Sequence, residues 1–494
     1  MKKRSLGLIG LAALLGIMIT SCGNSVKDYD GTEVQGVSET EILVGNTAAT
    51  TGSFAGVGVP FNAGIEAVFA DYNNAGGFNG ASVRLKHYDD GFDGAKGLTY
   101  TKQLVEEDKI FALVGHFGTN TVTQTVDYIK EKGIPMVYAA TGISELYQEN
   151  AKGYNRAVMS VQPIFNAEGR VLLARALATT EGGWGLGGTK IGVISTTDDA
   201  GTGMLAGVQR QAKEVKKASI TYTTTAADQG TDHSAAVNKL KNAGCDVVIV
   251  AANQTPFTEI LGYMKAANYN AKVITSYVSA NTTTLGGLVD AGAITADRPV
   301  YTTAWLDITA ADSVVAHTAY YKVSYTDVAD ASTYTYTLYV PTVEEKAAID
   351  ASKNAYGFGF DAALNMYWVQ ETSAYSQDYW DYAECVTRNG HPEYMANSYG
   401  MAGYIAGKLF IQGLERVKQA GKALTWKNYI DAMEDSVLNL PMGGTINYAN
   451  GNRFGVTDLA LNTISLEKDA TSGAYSLVAV SGIKTLDQVM EKIG

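Results

Sequence analysis

From Glu41 onward the chain alternates short apolar strands with amphipathic helices, and nothing else in the sequence constrains the fold so tightly. EILVGN reads as a buried strand, and Pro60 is expected at the first helical position of FNAGIEAVFADYNN. SVRLKHYDD follows as strand, GAKGLTYTKQLVEED as helix and IFALVG as a wholly apolar strand. A helix over 119–132 sets Val122, Val126 and Ile129 on one face before the strand PMVY. A second series begins after Arg156: helix 167–180, strand KIGVIS, helix 203–216, strand ITYTTT, helix 234–242, strand VVIVA, helix 257–267 and strand KVITS. Strands that are apolar on both faces need helices over both, so each series predicts a parallel sheet, and two series predict two doubly wound α/β lobes.

The N-terminus points to export. Lys2, Lys3 and Arg4 precede an apolar stretch from Leu6 to Thr20 that is short for a membrane span and reads as a signal peptide over 1–21. It ends Ile19-Thr20-Ser21-Cys22, small residues before a cysteine as in a bacterial lipobox, so Cys22 is expected to carry the lipid anchor. Residues 22–39 are polar and aperiodic and are expected to form a flexible tether. The expected location is the bacterial cell envelope, outside the cytoplasm. Cys245 and Cys385 could pair in an oxidising compartment or remain buried thiols.

Charge and motifs exclude several functions. A net charge of −12 with no basic stripe argues against nucleic acid. His87, His116, His233, His317 and His391 lack metal-ligand spacing, and no G-x-S-x-G elbow is present. GWGLGGTK at 183–190 reverses the P-loop order and precedes a strand. Gly201-Thr202-Gly203-Met204-Leu205-Ala206 fits G-x-G-x-x-A but starts five residues after its strand, and reads as a glycine-permitted turn. Asp89, Asp90 and Asp93 lack the alternation of a calcium loop and read as a solvated strand end. No cofactor, metal or catalytic residue is therefore expected.

In open α/β sheets ligands sit beyond the C-terminal strand ends, so function should lie in the turns at 45–59, 115–120, 139–145, 195–203, 252–257 and 275–284. The series TGSFAGVGVPFNAGIEA, HYDDGFD, LVGHFGTNTVTQ, IPMVYAATGISEL and YNRAVMS, together with 191–208, resembles the Leu/Ile/Val-binding proteins, solute-binding subunits of ABC transporters with the type I periplasmic-binding fold. The resemblance covers roughly 40–300 and returns at 395–465. It implies two lobes joined by a three-stranded hinge, a small-molecule ligand held between them, and ABC permease and ATPase partners. It also implies that Thr119, the backbone at Ala139 and Thr141 grip a ligand carboxylate, with Phe54, Phe117, Gly118 and Ala140 beside them. The first turn of the helix at Thr119 suits an anion, although Thr119 could equally be a plain N-cap and Thr141 a turn-stabilising hydroxyl. The opposite lobe departs from the family. Ala200 stands where an aromatic residue is usual, and no acid lies near Tyr277-Val278, which leaves Asp199 to take an ammonium charge and Asn253, Gln254 or Tyr277 to line the second wall. A branched-chain or other amino acid, an aromatic acid or an amide all remain as ligands.

Lobe 1 is expected over 40–158 plus 300–442, and lobe 2 over 159–299 plus 443–494. Fourteen of the 30 tyrosines fall within 301–400, and an insertion at about 308–394 is expected there, either enclosing a larger ligand, presenting a partner surface or forming a satellite core. A monomer is expected. The rival readings are a sensing or adhesion lipoprotein with the same fold and a hydrolase using the cleft.

Overall fold

The computed structural model describes residues 26–215, 219–280, 282–307, 317–325, 334–352, 358–361, 366–373, 375–395, 397–468 and 475–494. The leader at 1–21 and Cys22 lie outside them. Among the described residues no helix is long and apolar enough to cross a membrane.

The first alternating series folds as β1 (Glu41–Ala48), α1 (Ala55–Asn74), β2 (Ser82–Asp89), α2 (Gly94–Lys102), β3 (Leu113–Phe117), α3 (Thr119–Lys132), β4 (Met136–Ala140) and β5 (Val158–Met159). These strands make a parallel sheet in the order β2-β1-β3-β4-β5. Helix α1 starts five residues before the expected point, so Pro60 lies inside it. The second series gives α4 (Phe165–Leu177), β6 (Lys190–Thr196), α5 (Asp199–Glu214), β7 (Ser219–Thr225), α6 (Ser234–Ala243), β8 (Val247–Ala251), α7 (Gln254–Ala266), β9 (Lys272–Thr275), α8 (Thr282–Asp290) and β10 (Val300–Ala304).

The G-x-G of 201–203 is not a turn, because both glycines lie inside α5. A Cβ on Gly207 would strike the Asn166 carbonyl of α4, and one on Gly203 would stand 2.9 Å from Ser144 Oγ. These glycines are needed for close helix packing and not for phosphate binding.

The inserted region contains β11 (His317–Tyr325), β12 (Tyr334–Tyr339), α9 (Val343–Ser352), β13 (Phe358–Asp361), β14 (Met366–Ser373) and α10 (Gln377–Arg388). Its strands form a separate antiparallel sheet, β12-β11-β14-β13. Tyr320 and Tyr339, paired across β11 and β12, meet Ile349 of α9 on one face. The neighbouring pair, Tyr321 and Leu338, packs on the lobe 1 core from the other face. This is the satellite-core arrangement: alternate tyrosines serve two layers.

The chain returns through α11 (Ser398–Gln419), α12 (Trp426–Glu434) and the ribbon β15 (Leu438–Asn439) with β16 (Thr445–Ile446), then finishes with β17 (Leu459–Ile464), β18 (Leu477–Lys484) and α13 (Leu486–Met490). The second sheet runs β18-β17-β10-β9-β8-β6-β7. Two expected boundaries therefore move. β10 pairs with β9 and β17, so 300–304 belongs to lobe 2 and not lobe 1. Ile446 and Tyr448 are buried in the lobe 1 core, so the start of the 443–494 segment belongs to lobe 1.

The lobes are linked by three crossings, after Met159, after Ala304 and through Asn447 to Asp458. The first and third are stitched together by Val456 N to Val161 O (2.7 Å) and Tyr448 Oη to Ser160 O (2.6 Å). Arg453 is fully buried beside them. It donates to the carbonyls of Arg156 (2.8 Å) and Asn452 (2.7 Å) and pairs with Glu434, which also pairs with Arg156 at 2.5 Å.

The expected tether is a docked strap over the part of 22–39 that is described. Tyr29 is buried against Tyr154, with ring centroids 4.7 Å apart, and its hydroxyl donates to Gly133 O at 2.6 Å. Gln35 Nε2 donates to Val105 O (3.1 Å) and Ile110 O (2.8 Å), and Leu43 N to Gly36 O (2.8 Å). Polar composition concealed this because a single buried ring, Tyr29, and the Gln35 side-chain amide hold the strap among backbone hydrogen bonds, and a lone anchor sets up no apolar periodicity. Cys245 and Cys385 are both buried free thiols, in lobe 2 and in α10.

Candidate functional site

The lobe 1 wall of the cleft is shaped by a matched kink in two adjacent strands. The β3–β4 pairing runs Val114 with Val137 and then His116 with Ala139, skipping Gly115 and Tyr138. Both are left-handed, with φ of 65° and 62°. A side chain at 115 would stand 2.6 Å from Phe61, which explains the glycine. Tyr138 adopts this conformation without being glycine, at a cost of about 1–2 kcal/mol, and its surroundings hold it there. Its ring lies edge-on to Phe61 (5.7 Å) and tilted on Trp305 (6.3 Å).

Beyond the kink the two strand ends meet at a pair of hydroxyls. Thr119 Oγ1 and Thr141 Oγ1 are 3.0 Å apart. Thr119 is not the N-cap: Gly118 is, with φ 98° and no side chain to cap the helix. The first-turn N–H groups of α3 thus lack a side-chain cap beside two hydroxyls, a combination suited to an anion. Ala139 and Ala140 form the end of β4, and Thr141 N bonds back to Ala139 O at 2.9 Å. Phe117 is buried at the end of β3. Phe54 stacks on Phe92 with centroids 4.0 Å apart, and Phe92 in turn lies 3.0 Å from where a Cβ on Gly118 would stand.

Asp89 and Asp90 brace this wall and are not free ligands. Asp89 accepts from the backbone of Thr50 and Gly91, and Asp90 from the hydroxyls of Thr47 (3.0 Å) and Thr121 (2.6 Å). Asp93 caps α2. No cluster suited to a metal ion occurs among the described residues.

On lobe 2, Asp198 and not Asp199 caps α5. Its carboxylate accepts from Gly201 N (3.1 Å), Thr196 Oγ1 (2.5 Å) and Asn253 Nδ2 (2.9 Å). Asp199 is exposed in the first turn of α5, and Asn253 is the N-cap residue of α7. Gln254 reaches Thr284 and stays exposed. Tyr277 follows β9, and its ring packs against the lobe 1 core while its hydroxyl is buried with no hydrogen-bond partner. Burial raises the pKa of that hydroxyl well above its usual value. The two cavities described, of about 110 and 340 Å³, lie elsewhere: one beside Tyr147, Arg210 and Phe454, the other beside Glu259 and Tyr263.

Residues 41–356, well over half the chain, match the family model for periplasmic binding proteins. The chain belongs to this family. A Leu/Ile/Val-binding protein homolog 2 from Brucella abortus is 34% identical over 106 residues, 22% of this chain, and the chain spans only 28% of that relative's length. Among solved structures, a fatty acid ABC transporter substrate-binding protein from Thermomonospora curvata aligns with TM-score 0.60 at 14% identity, over 94% of this chain and 97% of that one. A branched chain amino acid ABC transporter protein from Thermus thermophilus with bound valine gives TM-score 0.58 at 14% identity, over 92% and 100%. The two lobes, whose sheets are parallel apart from the antiparallel β17 and β18 at one edge of lobe 2, thus form the type I periplasmic-binding fold.

In this periplasmic binding protein the residue that sequence reading overlooked is Glu168, in the first turn of α4. It is completely buried and accepts from Ser276 Oγ (2.6 Å), Thr303 Oγ1 and Tyr277 N (3.3 Å). It ties α4 to the Tyr277 loop and to the strand leading into the second crossing. The available signal was a charge on an otherwise apolar stripe, Phe165, Glu168 and Leu172.

Burial raises the Glu168 pKa above its usual 4.5, against the opposing hydrogen bonds. The folded protein therefore holds that proton more tightly than the unfolded chain. Stability is full below the unfolded value and falls as pH climbs toward the raised folded value. In Glu168→Gln this loss should vanish. The melting temperature of the variant relative to the parent should rise in calorimetry as pH is raised above about 4.5, and a constant difference would contradict the account.

Proposed function

We propose that this chain is the extracytoplasmic solute-binding subunit of an ABC importer, anchored through lipid on Cys22, and that it captures a small carboxylate-bearing ligand by closing its two lobes. The observation that carries the reading is the Thr119–Thr141 hydroxyl pair beside the uncapped start of α3. A carboxylate there accepts from both hydroxyls and from backbone N–H, and each charge-assisted bond contributes about 1.5–3 kcal/mol. Phe54 flanks the mouth. Asp199, Asn253 and Tyr277 approach from lobe 2, and the orphaned Tyr277 hydroxyl gains a partner when a ligand supplies one. Closure turns on the three crossings, and the closed form is what a permease reads.

The related structures include a fatty acid transporter's substrate-binding protein and one with bound valine, so an amino acid and a simpler carboxylic acid both fit the reading. Native mass spectrometry of the purified protein should show a co-purified acid of low mass. X-ray scattering with that acid should show compaction. An unchanged scattering profile in the presence of a bound acid would defeat the closure mechanism.

A further inference from the structure

We propose that the end of lobe 1 farthest from the ligand cleft is the membrane-facing surface of the protein, held there by the strap 27–37; this rests on the lipid anchor proposed at Cys22. The strap makes its described contacts at the N-terminal ends of the lobe 1 strands. Tyr29 reaches Gly133, just before β4. Gln35 reaches Ile110, just before β3, and a Cβ on Gly36 would strike Phe111. Lys27 O accepts from Tyr154 N (2.8 Å), and Glu33 O from Trp426 N (2.9 Å). The ligand-facing residues Thr119 and Thr141 lie at the opposite, C-terminal ends of the same strands.

Chain length then sets the geometry. Five peptide units separate Cys22 from Lys27, and so short a chain spans at most about 17 Å. The far end of lobe 1 must sit within that distance of the lipid. A five-residue strand such as β3 adds about 17 Å more before the cleft is reached. While the strap is docked, the far end of lobe 1 stays at the lipid, and among the described residues the strap's hydrogen bonds to the rest of the protein go to lobe 1.

The test uses the full lipidated protein on phosphatidylcholine vesicles carrying an acceptor dye on the lipid headgroup. A donor dye is placed at Lys152→Cys, beside the strap, or at Glu145→Cys, at the cleft end; both positions are exposed. Cys245 and Cys385 are buried, and burial pushes the Cys385 thiol up to about 12, so neither competes for label. Energy transfer at position 152 should exceed that at 145 at least twofold. In Tyr29→Ala/Gln35→Ala the two should converge while vesicle flotation persists. Equal transfer at both positions with the strap intact and the protein still vesicle-bound would overturn the proposal and leave the anchor standing. Loss of flotation, with the protein behaving like Cys22→Ser, would overturn the anchor and this proposal together.

Discussion

Replacing both cleft hydroxyls, in Thr119→Val/Thr141→Val, should lower affinity for a carboxylate ligand on the order of 100-fold, with the melting temperature nearly unchanged. Valine is close to threonine in shape, so what is lost is hydrogen bonding. The two hydroxyls lie 3.0 Å apart and bond to each other in the absence of ligand. Removing both leaves no orphaned partner, and the folded state loses little. A bound carboxylate, however, loses two charge-assisted bonds. Two such bonds contribute about 3–6 kcal/mol, less about 1 kcal/mol for the hydroxyl–hydroxyl bond that the ligand replaces, which leaves about 2–5 kcal/mol, or roughly 30-fold to 5000-fold in affinity. Titration calorimetry reads the affinity and scanning calorimetry the stability. Affinity within threefold of the parent would remove these hydroxyls from the site.

The second large effect is expected on stability. Arg453→Met should cost about 3–5 kcal/mol, the range seen when one partner of a buried ion pair is removed. Arg453 has no exposed surface, and its guanidinium serves Glu434 together with the carbonyls of Arg156, Tyr448 and Asn452. Methionine fills much of the volume but leaves those carbonyls without a donor. Arg156 continues to hold Glu434 at 2.5 Å, which limits the damage to the third crossing. Denaturant titration measures the change. A loss under 1 kcal/mol would show that the crossing is held chiefly by Tyr448 and Val456.

What the sequence made legible was whatever depends on side-chain periodicity. The runs LVGHF and VVIVA are buried on both faces, and the turns after β3 and β4 fall where the alternation placed them. The hydroxyls at 119 and 141 were visible because they sit in those turns. Three features were hidden for distinct physical reasons. The strap is held by the one Tyr29 ring, the Gln35 amide and backbone hydrogen bonds, so its polar composition gave a flexible reading. The lobe boundary at 300 depends on whether β10 pairs with β9 and β17, a long-range matter that no local pattern encodes. The left-handed Tyr138 is a conformation that only its tertiary neighbours can enforce. The glycines of α5 were misread for a related reason: their role is set by Asn166 and Ser144 across a packed interface.

Glu168 and Tyr277 show how the lobe 2 wall differs from the lobe 1 wall. Asp198 is consumed by capping and by Asn253, and Glu168 by three donors, so neither carboxylate is open to a ligand as it stands. Asp199 is the exposed acid left at the start of α5. In the proposed binding mode, recognition on this face is assigned to Asp199 and the Tyr277 hydroxyl, and the chemistry of the ligand's far end would decide between them.

Carboxylate capture by lobe 1 is most directly tested by titrating the purified protein, in a calorimeter, with the acid found by mass spectrometry and with its primary amide. The acid should bind at least 100-fold more tightly than the amide, because only the charged group draws on the α3 N-terminus and the Thr119–Thr141 pair. Equal binding of acid and amide would contradict the account.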